Sequence, residues 1–228
     1  MDEQYCIINL KAYEEVFNIN LEKFMKEFNN CVELAQELNV HLCVCVNSYD
    51  LKDAVKMSKG VEIFSQHIDP VEFGKQTGHF PTIAAMRLGA VGTLISHSEH
   101  YLSLQETLKR VEYAQSYYIN TCVCVRDIQR VEELKQHNIK GLVAFEPPEL
   151  IGGDISVTTA NPHIITQVEE ITQNSNLSLL VGAGVKTKED VEKALELGAN
   201  GILVASGVVK SSNVEKEVKN LLEGFRIK

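Results

Sequence analysis

A carboxylate, an imidazole and an ammonium stand just past three short apolar runs of this sequence. Glu146 follows G-L-V-A-F, His97 lies in S-H-S-E-H after the run at 91–95, and Lys11 lies in N-L-K after the run at 5–9. Brought together, such groups suit proton removal beside a carbonyl. The carboxylate is the general base, while a neutral histidine N–H and a fixed positive charge stabilise the enediolate that forms. The serines and Glu99 around His97 read as the first turn of a helix, whose positive end disfavours an imidazolium. Chemistry of this kind requires no cofactor, redox or metal. Taken singly, each residue has a plain structural reading: a solvated lysine, a structural histidine, a loop carboxylate.

The chain beyond Glu146 reads as a cover for such a site. Pro147 and Pro148 fix the backbone and remove donors, so the strand stops at the carboxylate. Leu150 and Ile151 form an apolar tip, and Gly152-Gly153 let backbone N–H groups approach a ligand. Residues 147–157 are therefore expected to act as a lid, although an ordinary strand-to-helix loop has a similar composition.

What could bring these groups together is a repeating strand–helix pattern. Strands are expected at 5–9, 40–46, 61–66, 91–95, 119–125, 141–145, 177–181 and 201–204. Helices are expected at 21–38, 51–57, 81–88, 104–118, 131–137, 162–173, 189–197 and 214–225. The strands are rich in Val, Ile, Leu and Cys without polar alternation, as in parallel sheets covered on both faces. Ser103 with Glu106 and Thr187 with Asp190 have capping-box spacing. Eight such units predict an α/β fold, a single-domain (β/α)8 barrel over 1–228, with a doubly wound open sheet as the alternative.

In a barrel the C-terminal strand tips converge. Here they are Asn9 to Lys11, Asn47, Gln66-His67, the S-H-S-E-H segment, Arg126-Asp127, Glu146, Gly182-Ala183-Gly184 and Ala205-Ser206-Gly207. The last two turns have side chains small enough for backbone amides to face an anion, as in phosphate sites after strands seven and eight.

A net charge of −9 argues against nucleic acid and against an anionic membrane surface as partners. The N-terminal segment lacks the basic and apolar regions of a signal peptide, and no apolar run is long enough to span a membrane, so a cytoplasmic protein is expected. Of six cysteines, Cys43/Cys45 and Cys122/Cys124 alternate within strands, which reads as reduced core filler, with a metal or redox role as the minor reading. His67, Asp69 and His79 have loose metal-ligand spacing, but nothing completes a zinc pattern, and no metal is expected.

Six ordered motifs resemble the triosephosphate isomerase family, in its short archaeal form, across essentially the whole chain. They are N-L-K-A-Y; S-Q-H-I-D-P-V with K-Q-T-G-H; G-A-V-G-T-L-I-S-H-S-E-H; E-P-P-E-L-I-G; V-G-A-G-V-K-T-K-E-D; and I-L-V-A-S-G-V-V. The resemblance implies interconversion of dihydroxyacetone phosphate and glyceraldehyde 3-phosphate. It implies Glu146 as base, His97 as electrophile, Lys11 as positive charge, Asn9 holding substrate, and backbone groups at Ile151 or Gly152, Gly184, Ala205 and Ser206 on the phosphate. A homo-oligomer is implied too, a tetramer rather than a dimer, with the loop at Thr77-Gly78 reaching a neighbour's site. Another sugar-phosphate barrel, or a non-enzymatic metabolite-binding barrel, stand as alternatives.

Three positions depart from the family's pattern. Ser96 replaces the usual asparagine, so its hydrogen bond is expected to pass to water or be lost. Gly152-Gly153-Asp154 replaces G-T-G, placing a negative charge near the phosphate. I-S-V-T replaces I-P-V-S, loosening the far hinge.

Overall fold

The computed structural model describes residues 3–148 and 160–226. Eight parallel strands, β1 (Gln4–Asn9), β2 (Val40–Val46), β3 (Glu62–Ser65), β4 (Gly92–Ile95), β5 (Asn120–Val125), β6 (Gly141–Phe145), β7 (Leu177–Val181) and β8 (Gly201–Val204), close into a barrel in sequence order. Closure is made where β1 pairs β8, with Tyr5 opposite Gly201 and Ile8 opposite Val204. This pairing overturns the open-sheet alternative. An open sheet would leave β1 and β8 as unpaired edges, whereas closure satisfies every strand.

Among the described residues, ten helices cover the outside: α1 (Ile19–Asn29), α2 (Val32–Glu37), α3 (Leu51–Met57), α4 (Thr82–Leu88), α5 (Leu104–Ser116), α6 (Ile128–Gln136), α7 (Pro162–Thr172), α8 (Lys188–Glu196), α9 (Ser206–Val209) and α10 (Val214–Glu223). Both expected capping boxes form, at Ser103 with Glu106 and at Thr187 with Asp190.

Three expectations fail locally. The single helix expected over 21–38 breaks into α1 and α2, because Asn29 turns its carboxamide away to Met57 O and Lys59 N, and Asn30 reaches Glu215. Asparagine is a poor interior helix former when its side chain finds such competing bonds. Helix α6 starts at Ile128, before the expected 131, since Asp127 caps it by accepting from Arg130 N. The helix expected around His97 is only one 3-10 turn, Ser98–His100.

The core has two parts. Between strands and helices lies a continuous apolar layer including Met25, Phe28, Leu134 and Phe145. Each such side chain contributes about 1.5–3 kcal/mol by burial. Inside the barrel a smaller cluster holds Tyr5, Ile7, Phe64 and the four alternating thiols of β2 and β5. All four are fully buried and free, and burial pushes the Cys43, Cys45 and Cys124 thiols well above their ordinary range. Their place in the barrel filling matches the core-filler reading.

Candidate active site

Each reactive side chain stands where a strand runs out. Chain direction carries Asn9 at the end of β1, Glu146 one residue past β6 and His97 two residues past β4 to the same face of the barrel. The G-A-G turn after β7 and α9 after β8 complete that rim. One cleft is lined by Asn9, Lys11, His97, Glu146, Gly184, Ala205 and Ser206. The structure thus brings together every sequence-predicted site residue that it describes. Ile151, Gly152 and the lid beyond 148 lie outside the described residues.

Local hydrogen bonds set each group. Lys11 Nζ lies 2.7 Å from Glu99 Oε1, and the side chain of Lys11 is largely buried. The N–H of Glu99 donates to His97 Nδ1 at 3.2 Å. That bond occupies the Nδ1 lone pair and assigns the proton of the neutral ring to Nε2. The ring is held down to a pKa of about 4 chiefly by burial and then by Lys11, with Glu99 opposing. A neutral ring was expected, but burial, not a helix terminus, is the main cause. His97 Nε2 stands 4.0 Å from Glu146 Oε1, beyond hydrogen-bond reach.

Glu146 is almost fully enclosed, and its Oε2 has no hydrogen-bond partner among the described residues. Desolvation raises its pKa to about 7, with the Cys124 thiol and Lys11 pulling it partly back. A carboxylate poised near neutrality is what proton abstraction at neutral pH needs.

Gly182 has a use the sequence reading did not assign. A Cβ there would lie 2.5 Å from Glu146 Cγ, and the Gly182 N–H donates to Phe145 O at 3.0 Å. Its smallness makes room for the carboxylate side chain and does not serve an anion. Gly184, at φ 74, supplies the left-handed turn that leads into α8. Ser206 opens α9 and, with Ala205 and Gly207, lines the cleft.

Ser96 corrects a second expectation. Its Oγ accepts the N–H of Leu102 at 3.1 Å, so the shorter side chain has a hydrogen bond within the protein instead of passing to water. Tyr13 and Lys186 line the cleft as well and were passed over. Each lies within a quoted motif, N-L-K-A-Y and V-G-A-G-V-K-T-K-E-D, but neither residue type distinguishes a cleft from a surface. His67, Asp69 and His79 do meet, with Asp69 accepting from Arg110 and Phe80 N. The arginine supplies the positive charge of that group, and His67 stacks on His100 away from the cleft.

The sequence matches a family model described as triosephosphate isomerase over residues 4–221. This chain belongs to that family. It is similar to the triosephosphate isomerase of Thermoplasma volcanium, 37% identical over 219 residues, covering 95% of this chain and 98% of that protein. The enzyme of the same name from Methanothermus fervidus is 33% identical over 224 residues, 97% of this chain and 99% of its own. That from Archaeoglobus fulgidus is 33% identical over 218 residues, 95% and 96% respectively. With its family, the chain is an aldose–ketose isomerase. Among the described residues no helix is long and apolar enough to cross a membrane.

Proposed function

We propose that this protein interconverts dihydroxyacetone phosphate and D-glyceraldehyde 3-phosphate, with Glu146, His97 and Lys11 as catalytic residues. The observation that carries this reading is one cleft shared by a poised carboxylate, a neutral imidazole and the small turns after β7 and β8. Glu146 removes a proton from the carbon next to the carbonyl, and the electron pair moves onto the carbonyl oxygen as the enediolate. His97 Nε2–H donates to the developing oxyanion, and the Lys11 ammonium stabilises the charge. The hydroxyl proton of the intermediate passes to the former carbonyl oxygen through His97, and Glu146 returns its proton to the neighbouring carbon, so the hydroxyl and carbonyl exchange places and the isomerisation balances.

Asn9 orients the substrate, while backbone N–H groups at Ile151, Gly152, Gly184, Ala205 and Ser206 hold the phosphate under a lid at 147–157. That lid excludes water while the enediolate exists. In this reading the enzyme works in the cytoplasm as a homo-oligomer, a tetramer in preference to a dimer. Support for association comes from the exposed turn at Thr77-Gly78 and from Phe17, Tyr49 and Phe73, large apolar side chains left at the surface.

Turnover of glyceraldehyde 3-phosphate by the purified protein tests the reading. Glu146→Asp is expected to lower kcat by at least about 10²-fold. Absence of turnover, or a Glu146→Asp enzyme as fast as the parent, overturns it. Phosphoglycolate separates a three-carbon pocket from that of a larger sugar phosphate: it should inhibit competitively, and failure to do so favours the larger substrate.

A further inference from the structure

Lys11 leaves β1 in a backbone conformation that lysine does not favour, at φ 49. Three carboxamides from three strand tips meet that one residue. Asn9 Oδ1 accepts the Lys11 N–H at 3.0 Å, closing a turn on the same strand. The Lys11 carbonyl accepts from Asn47 Nδ2 at 2.6 Å and from Gln66 Nε2 at 2.9 Å. Gln66 also donates to Cys45 O at 3.1 Å, so its amide is anchored on the end of β2 as well.

We propose that Asn47 and Gln66 are positioning residues that clamp the backbone of Lys11 in its left-handed conformation and thereby aim its ammonium into the cleft. If the peptide relaxed to ordinary helical or extended geometry, its carbonyl would turn away from both donors. The Cα–Cβ bond would swing with it, carrying the ammonium away from Glu99 and the substrate oxygen. Neither Asn47 nor Gln66 lines the cleft, so their influence on the reaction runs through Lys11. A double donor on one carbonyl is what holding a strained residue needs: strain of this kind persists only when its surroundings over-determine it.

This inference rests on Lys11 acting in the isomerase reaction. Asn47→Ala and Gln66→Met are each expected to lower kcat/KM about tenfold, and the pair about 10²-fold, the scale of a misplacement near 1 Å. In a Lys11→Met background the same substitutions should change kcat/KM less than about twofold, because the group they position is gone. Equal losses in both backgrounds would mean a merely structural role and overturn the clamp. Dissociation constants for phosphoglycolate should follow the same pattern if turnover of Lys11→Met is too slow to measure. A crystal structure of the double variant gives a readout independent of activity: Lys11 should move to negative φ. If it stays left-handed, the clamp is refuted, whatever the substrate proves to be. If the parent protein turns over no triose phosphate while Lys11 does move, the isomerase reading fails and the clamp stands.

Discussion

The two ends of this barrel use the left-handed backbone region in different ways. At the N-terminal end, where helices turn back into strands, positive φ falls on Asn39, Gly60, Gly89, Asn138, Gly141, Gly198 and Gly201, and on one ill-suited residue, Tyr118. Glycine and asparagine end helices there at small cost. At the C-terminal end, Lys11 and Ser96 adopt the same geometry beside the reactive groups, with no help from their residue type. The same contrast holds for charge. The barrel filling below is apolar side chains and protonated thiols, whereas the rim above encloses Glu146, with one oxygen unsatisfied among the described residues, and His97 with a depressed pKa. One end is arranged for stability, and the other holds groups that would be more stable elsewhere.

Glu146→Gln should give the largest effect. Activity should fall at least about 10³-fold, as expected when the general base is removed. The folded-state pKa of about 7 lies above the ordinary 4.5, so the folded protein binds this proton more tightly than the unfolded chain. The resulting stability is present below pH 4.5 and is lost as pH rises through about 7. Glu146→Gln should therefore be more stable than the parent above that pH, by roughly 3 kcal/mol, with the gain fading toward pH 4.5. Chemical denaturation at pH 8 and at pH 4.5 measures this; a destabilised variant at pH 8 would remove the contrast between the two ends.

Gly182→Ala comes next. The added methyl takes space now held by the Glu146 side chain, which can yield toward the neighbouring cavity lined by Ser96 and Tyr101. Displacement of the base should lower kcat/KM on the order of 10²-fold while the protein stays folded. Parent-level activity would show that the carboxylate tolerates the move.

A smaller effect lies in the pH profile. The acid limb of kcat/KM should titrate near pH 7, since Glu146 must be ionised to act, and His97, held at about 4, should add no limb near neutrality. Lys11 lowers the Glu146 pKa, so Lys11→Met should move that limb to higher pH. A limb near the ordinary carboxylate value would contradict the burial argument.

Tyr118→Gly should give the smallest change. Tyr118 is 95% exposed at φ 58, so glycine relieves a strained backbone without removing packing. A gain of about 0.5 kcal/mol with unchanged activity is expected by thermal or chemical denaturation. A loss would mean that the ring contributes at the surface.

Much of the fold was legible because its signals are local. Continuous apolar runs marked β2, β6, β7 and β8 at their observed bounds, and two capping boxes marked α5 and α8. The break between α1 and α2 was not legible. It depends on what Asn29 and Asn30 reach at Met57, Lys59 and Glu215, residues far away in sequence. Lys11, His97 and Glu146 could be picked out because each reactive type sits at a strand end. Gly182 and Gln66 could not be given their roles in the same way, since both depend on which neighbour arrives across the barrel.

By itself, the sequence determined that strands and helices alternate eight times and which polar residues end the strands. Periodicity and turn chemistry act within a few residues, so they can be read from the chain. Closure of β1 on β8, the pKa of about 7 at Glu146 and the left-handed backbone of Lys11 were decided only in three dimensions. Each arises from burial or hydrogen bonding by groups distant in the chain, and a desolvated carboxylate or a twice-bonded carbonyl exists only once the barrel has closed around it.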